Sequence, residues 1–368
     1  MIRILHISAN QFPPLNVEHH TKKIWLELAR DAGEYHVFAR SQKNRFERYR
    51  EGNIMLHLIP AIGKRERSFL ITGFLLFFYI PRYRITHLLS QSPISGGLAG
   101  VIASKLFGLP IMVELHGDVF FKYFQKKTCT DRILSFLVKY SLRNATLVRS
   151  LSTEMSRLLH SEGIKNNVVE ISNRVDLQLF HPPKTDYRAG KIFKIISVGR
   201  FVPQKGYNIA IEAVLELSKK YPVELYLIGG GELYEKLALC AGGNSQIHLI
   251  EWMEQKELIR FLRASDLYIQ PSVPFLGEAM PRTILEAMGM GLPVITTNIA
   301  AIPGVVDHGI NGLLIEPGSK QELANAIEKL LLDEKLRYHL GTNAFNKASS
   351  HYEWNQVFRI YRKALYDM

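Results

Sequence analysis

Cysteine is nearly absent: Cys129 and Cys240 are the only two in 368 residues. They form neither a disulfide framework nor a metal-ligand spacing, so a reducing, cytoplasmic setting is expected. Long hydrophobic runs are missing too. The longest, FLITGFLLFFYI from Phe69 to Ile80, has 12 residues, short of the roughly 20 that cross a bilayer. It sits between KRER and RYR and reads as a buried or half-buried helix of the first domain; a helix lying in a membrane interface is the sharper alternative. The opening MIRILHISANQFPP is a short apolar strand and a proline turn, without the longer apolar stretch and small-residue cleavage site of a signal peptide. No G-x-G-x-x-G follows that strand, which disfavours a nicotinamide-dependent dehydrogenase. Repeats and low-complexity tracts are lacking as well.

What is present is a folded composition, 47% hydrophobic and 22% charged, with a net charge of +12. The excess is one-sided. Residues 1–186 hold 26 Lys and Arg against 15 Asp and Glu, and the remainder 20 against 19. An N-terminal half this basic points to an anion: nucleic acid, an acidic membrane surface or a phosphorylated substrate. A merely solubilising surface is the bland reading.

Short apolar runs alternate with helical patterns along the whole chain. In the first half the strand candidates are IRILHIS, YHVFAR, IMLHLI, ITHLLS, IMVELHG, TLVRSLS and VVEIS. In the second they are FKIISVG, VELYLIG, IHLIEWM, LYIQPS, LPVITTN and GLLIE. Alternation with crossover helices implies parallel sheet covered on both faces, and its occurring twice implies two doubly wound, Rossmann-like domains. The Pro- and Gly-containing segment LFHPPKTDYRAGKIF marks the boundary, giving domains over residues 1–184 and 185–350. The tail, 351–368, is an amphipathic helix with Trp354, Val357, Ile360, Tyr361, Ala364 and Leu365 at helical spacing, expected to pack away from the domain before it. Open parallel sheets bind ligands beyond the carboxyl ends of their strands, so two such domains facing across a cleft would carry their ligand groups on the loops that follow strands.

Those loops are where the informative residues fall. After ISVG come Arg200 and Lys205, a planar fork and a point charge suited to a phosphate or diphosphate; either alone would pass for a solvated loop cation. After LYLIG the run Gly229-Gly230-Gly231 precedes a helix, and its glycines allow close backbone approach to an anion or simply a tight turn. In GEAMPRTILEAMGMGLPVI, Glu278 stands before a helix expected to start at Pro281, and Glu286 lies in its second turn, leaning back toward the helix mouth. Between them are the unpaired amides of Met280, Arg282 and Thr283 and the positive end of the helix dipole. Such a mouth suits a phosphate on its amides and hydroxyls on its carboxylates, as in a nucleotide sugar. A glycosidase would use two carboxylates but has no need of Arg200 and Lys205. Nucleic-acid binding explains the charge but not the adjoining carboxylates, so no nucleic-acid partner is expected. His116, closing the strand IMVELHG, is on sequence alone a structural histidine whose place at a strand end raises its candidacy.

Assembled in order, VGRFVPQKG, LIGGGE, ASDLYIQPS, the glutamate pair, LEAMGMGLPVI and GINGLLIEP resemble the retaining GT-B glycosyltransferases of the large family numbered four. The resemblance runs from Ile2 to the final helix and is densest from Ser197 to Pro317. It implies transfer of a hexose from a nucleotide-diphosphate donor, expected to be UDP-linked, with the anomeric configuration kept and no metal or other cofactor. The absence of any Asp-x-Asp agrees, because metal-dependent transferases of the other common fold use that motif. By resemblance, Arg200 and Lys205 hold the diphosphate, Glu278 meets the donor sugar, Glu286 the ribose, and His116 lies near the reacting sugar. Glu278 and His116 are the catalytic candidates. Gly230, Met280, Arg282 and Thr283 complete the donor contacts.

Four departures stand out: Leu15 and Asn16 where a Gly-Gly turn is common, Arg174 in NRVD where glycine is usual, Ala279 after the first glutamate, and Gly304 where glutamate is common. The expected acceptor is a saccharide or lipid-linked intermediate of surface polysaccharide or lipopolysaccharide synthesis, with an anionic membrane surface as partner of the basic N-terminal half and peripheral association at the inner face. The competing functions are a nucleotide-sugar epimerase of the same fold and an inactive sugar-nucleotide binding protein. An epimerase needs no acceptor, and a binding protein tolerates loss of Glu278 and Lys205.

Overall fold

The computed structural model describes residues 1–60, 73–116, 124, 128–165, 167–182, 192–274, 280–299 and 301–368. Contacts divide the chain into two units, Met1–Ile171 with Phe358–Met368, and Ser172–Val357.

The first unit holds β1 (Arg3–Phe12), β2 (Glu34–Ser41), β3 (Glu47–Glu51), β4 (Ile54–Ile59), β5 (His87–Ser90), β6 (Ile111–Glu114), β7 (Leu147–Ser150) and β8 (Val168–Glu170). They form one sheet in the order β3-β4-β2-β1-β5-β6-β7-β8. Its helices are α1 (His20–Ala29), α2 (Leu76–Arg82), α3 (Gly97–Phe107), α4 (Cys129–Arg143) and α5 (Thr153–Ser161). Central strands such as β4, buried at every position, read as continuous apolar runs because helices cover both faces of a parallel sheet.

The second unit is built from β9 (Phe193–Val198), β10 (Val223–Ile228), β11 (Ile247–Ile250), β12 (Leu267–Gln270), β13 (Val294–Thr297) and β14 (Leu313–Ile315). Their order is β11-β10-β9-β12-β13-β14, with every pairing parallel. Its helices are α6 (Tyr207–Leu217), α7 (Tyr234–Ala241), α8 (Gln255–Arg263), α9 (Arg282–Gly289), α10 (Lys320–Leu332) and α11 (Glu334–His351). In α6 the residues Ala210, Ile211, Val214 and Leu217 make one buried stripe, packing with Leu323 and Ile327 of α10 into the core. Strand order reverses between β9 and β12, and in the first unit between β1 and β5.

Each strand expected from the sequence is a strand, and the doubly wound α/β class holds in both units. Three details differ. β3, ERYRE, was not anticipated: it is a charged edge strand antiparallel to β4, and it replaces the crossover helix expected between β2 and β4. β1 continues to Phe12, with its pairing to β2 shifting between Ile7 and Gln11; Phe12 is held edge-on to Trp25, ring centres 4.8 Å apart. α9 begins at Arg282, with Pro281 in extended geometry before it.

The expected linker falls largely in residues 183–191, outside those described. The segment after Ile171 belongs to the second unit, where Val175 bridges to Glu353: Val175 N donates to Tyr352 O at 2.8 Å and Trp354 N to Val175 O at 3.0 Å. A further helix, α12 (Trp354–Tyr366), ends the chain. From Phe358 onward it packs in the first unit, where Arg362 pairs with Glu27 at 3.0 Å and the Tyr366 hydroxyl donates to Leu28 O at 2.6 Å. Val357, Tyr361 and Leu365 are buried as expected; Ile360 is 48% exposed, and Phe358 fills the core instead.

Candidate functional site

Three strand-end loops of the second unit are bonded into one surface. Gly199 N donates to Ile228 O at 3.0 Å, Phe201 N to Gly230 O at 2.8 Å, and Val273 N to Gln204 O at 3.0 Å. Glycine is a steric requirement here. A Cβ on Gly229 would stand 1.9 Å from Gly199 O, and one on Gly206 would stand 2.0 Å from Pro271 O at a φ of +62°. Beside Gly199, an added Cβ would meet the Tyr207 hydroxyl at 2.8 Å and Lys205 Cε at 3.3 Å. Lys205 therefore lies folded across the end of β9, half-buried, while Arg200 is exposed beside it.

Within the glycine run, Gly229 and Gly231 serve packing against residues 199–201. Gly230 is different. A Cβ there would meet only the Trp252 ring, at 3.4 Å, and that indole is 60% exposed. The sequence reading missed Trp252, placing it inside a strand that in fact ends at Ile250. An aromatic just past an apolar run, opposite a glycine turn, was the signal available.

The mouth of α9 is fixed from below. The Tyr268 hydroxyl lies 2.9 Å from Gln270 Oε1 and 2.8 Å from Thr283 Oγ1, and Gln270 Nε2 donates to Ser272 Oγ at 3.2 Å. Thr297 Oγ1 donates to Ser272 O at 2.7 Å. Tyr268, Gln270 and Ser272 are buried. The Thr283 hydroxyl is thus part of the support, and what it presents outward is its amide. Pro281 provides no side-chain cap, and the first amides of a helix point out of its start. Asn173 Nδ2 donates to Met280 O at 2.7 Å, orienting the residue before the mouth. Met280 is buried and Arg282 exposed. Glu286, one turn in, is half-buried, and desolvation pushes its carboxyl above the usual range, with Arg282 opposing. Glu278 lies outside the described residues. So Arg200, Lys205, Gly230, Met280, Arg282, Thr283 and Glu286 all stand on loops or helix ends at the carboxyl edge of this sheet, where its order reverses.

His116, just past β6, belongs to a cluster in the first unit. Its Nε2 lies 3.1 Å from Glu114 Oε2, and its side chain is 45% exposed. The other oxygen of Glu114 accepts from Arg149 Nη1 at 2.5 Å and from the Tyr361 hydroxyl. Arg149 also donates to Ile171 O at 2.9 Å and lies 4.6 Å from the centre of the Tyr361 ring. Burial alone would raise the Glu114 pKa; the charges on His116 and Arg149 outweigh it and hold the carboxyl well below its ordinary value. His6, whose Nδ1 is 2.7 Å from the Tyr35 hydroxyl, is pushed down to about 4 by burial. His116 is therefore the exposed tip of a buried polar set. Among the described residues no three His, Cys, Asp or Glu side chains converge as metal ligands.

Residues 185–347 match the model for glycosyl transferases group 1, and residues 17–174 match the glycosyl transferase 4-like domain. Each half of the chain thus matches a glycosyltransferase model. An uncharacterised glycosyltransferase of Methanocaldococcus jannaschii is 27% identical over 90% of this chain and 89% of its own. The UDP-Gal:alpha-D-GlcNAc-diphosphoundecaprenol alpha-1,3-galactosyltransferase of Escherichia coli is 28% identical over 72% of this chain and 70% of its own. Among solved structures, sucrose-phosphate synthase from Thermosynechococcus elongatus superposes with a TM-score of 0.82 over the full length of both chains at 19% identity. That likeness gives the chain the GT-B fold, two Rossmann-like domains.

Proposed function

We propose that this glycosyltransferase moves a hexose from a UDP-linked donor to a saccharide or lipid-linked acceptor, keeping the anomeric configuration and using no metal ion. One observation carries the reading: the start of α9, Arg200, Lys205 and a desolvated carboxylate, Glu286, all stand at the carboxyl edge of the second unit's sheet, where strand order reverses. Amides and cations suit a diphosphate; a desolvated carboxylate suits ribose hydroxyls, since it gains by accepting hydrogen bonds that water no longer supplies. The indole of Trp252 is assigned to the base. UDP is favoured because the E. coli relative is named for a UDP-linked galactose donor, and its named acceptor is a lipid diphosphate saccharide.

The C1–O bond to the diphosphate breaks and a C1–O bond to the acceptor oxygen forms on the same face. The acceptor's hydroxyl proton passes to the departing phosphate oxygen, and the nucleoside diphosphate leaves. Arg200, Lys205 and the α9 amides stabilise the charge that develops on the diphosphate, the role a metal ion plays elsewhere. His116 and Glu278 are the candidates for contact with the reacting sugar.

Titration with UDP, GDP, ADP and their sugars, following thermal stability and tryptophan emission in the wild type and in Trp252→Phe to isolate the Trp252 signal, tests the donor. UDP is expected to quench and stabilise; no response to any nucleotide would end the proposal. NMR of the product then reads the anomeric configuration, and inversion would sink retention.

A further inference from the structure

Large apolar side chains crowd the outside of three neighbouring helices in the first unit. Phe74, Phe78, Leu106 and Phe136 are each about 70% exposed, and Phe107 and Ile133 stand beside them, all on or next to α2, α3 and α4. The helices touch in series: the Phe77 and Phe107 rings are 6.0 Å apart, and Lys105 of α3 lies 5.1 Å from the centre of the Tyr140 ring of α4. α2 buries Leu76 and Ile80, half-buries Phe77 and leaves Phe78 outside. Three phenylalanines so exposed, at roughly 200 Å² a ring, already display about 400 Å² of apolar surface, the size at which a patch on a soluble protein marks an interaction.

Among the described residues of these helices and their ends, the exposed charges have one sign. Arg82, Arg84, Lys105 and Arg132 are exposed along the patch. Asp131 is the only carboxylate in these three helices, and it is engaged in the capping box with Thr128 that starts α4. A second copy of the chain would bring the same cations against one another. A bilayer with anionic headgroups complements both features: acyl chains for the rings, phosphates for the cations.

We propose that the outer face of α2, α3 and α4 docks on an anionic bilayer, with Phe74, Phe78, Leu106 and Phe136 entering the acyl boundary and Arg82, Lys105 and Arg132 at the headgroups. This rests on the lipid-linked acceptor reading and gives that acceptor's membrane a seat on the protein. Charge alone suggested electrostatic attraction; the exposed phenylalanines add an apolar, salt-resistant part.

Vesicle flotation tests it, with phosphatidylcholine alone and with phosphatidylcholine–phosphatidylglycerol mixtures. The wild type is expected to float with the mixed vesicles and keep part of that binding in high salt. Phe78→Ser with Phe136→Ser should weaken binding by about tenfold or more and leave UDP quenching of Trp252 intact. Lys105→Glu with Arg132→Glu should remove the preference for anionic lipid. A wild type that ignores both vesicle types overturns the proposal, as does undiminished binding by the serine variant. A serine variant whose only change is conversion of a dimer to a monomer in light scattering overturns it too, assigning the face to a second copy. If vesicles fail while UDP still quenches, the docking surface falls and the donor reading stands; vesicle binding without any nucleotide response does the reverse.

Discussion

Replacing Tyr361 by phenylalanine isolates one buried contact. The Tyr361 hydroxyl donates to Glu114 Oε1, and both side chains are almost wholly enclosed, at 1% and 2% exposure. Phenylalanine keeps the ring over the Arg149 guanidinium and removes only the hydroxyl, so the Arg149 and His116 contacts to Glu114 remain. A hydrogen bond to a charged group contributes about 1.5–3 kcal/mol. Since Arg149 still satisfies the same oxygen, a loss of about 2 kcal/mol is expected. For a unit of this size that corresponds to a fall of about 4–8 °C in the melting temperature of the first unit, read by calorimetry. Arg149→Met is the harsher control: it leaves the buried Glu114 charge uncompensated and should cost about 3–5 kcal/mol. A Tyr361→Phe variant melting within 1 °C of the wild type would refute the view that this carboxylate holds the end of α12 in the first unit.

Glu286→Gln should stabilise the unliganded protein at neutral and higher pH while weakening UDP binding. The folded pKa of Glu286 is raised, so the wild type loses stability as pH climbs from the ordinary carboxylate value through the raised one. The advantage of glutamine should vanish below about pH 4, and a constant advantage across pH in urea titrations would contradict this. The buried histidines act in the opposite direction on acidification. His6 is held to about 4 and His57 to about 3, against an ordinary 6.5; the unfolded chain takes up protons between 6.5 and those values and the folded protein does not. Stability should therefore fall by about 2.7 kcal/mol per pH unit near pH 5 from these two groups, and His6→Gln should halve that slope in the same titrations. Gly206→Ala, with its Cβ driven toward Pro271 O, should cost about 2 kcal/mol or more and displace Lys205; unchanged stability and UDP affinity would show that this turn relaxes freely.

Both sheets were legible in the sequence because buried parallel strands leave continuous apolar runs, and the loops after β9 and β12 were legible because glycine and proline mark where those strands end. β3 was not, since ERYRE at an exposed edge carries no apolar period. Nor was the Glu114, Arg149 and Tyr361 set, whose members lie far apart in the chain and meet only through sheet order and the last helix. The face of that helix was misjudged by one position: Ile360 scores well as apolar at helical spacing, yet Phe358 is the residue that faces the core. The exposed Phe74 and Phe78 at α2 were read as part of a buried or half-buried helix for the same reason, that hydrophobicity predicts burial without saying what does the covering. Glu278, central to the sequence reading, lies outside the described residues. Trp252 could have been noticed, had the strand been ended at Ile250.

The most direct measurement is calorimetric titration of UDP into the protein with chelator present, beside Lys205→Ala under the same conditions. Binding by the wild type unaltered by chelator, and weakened about tenfold or more in the variant, is the predicted result. Binding that disappears with chelator, returns with manganese and ignores the loss of Lys205 would contradict a diphosphate held by fixed cations and helix amides.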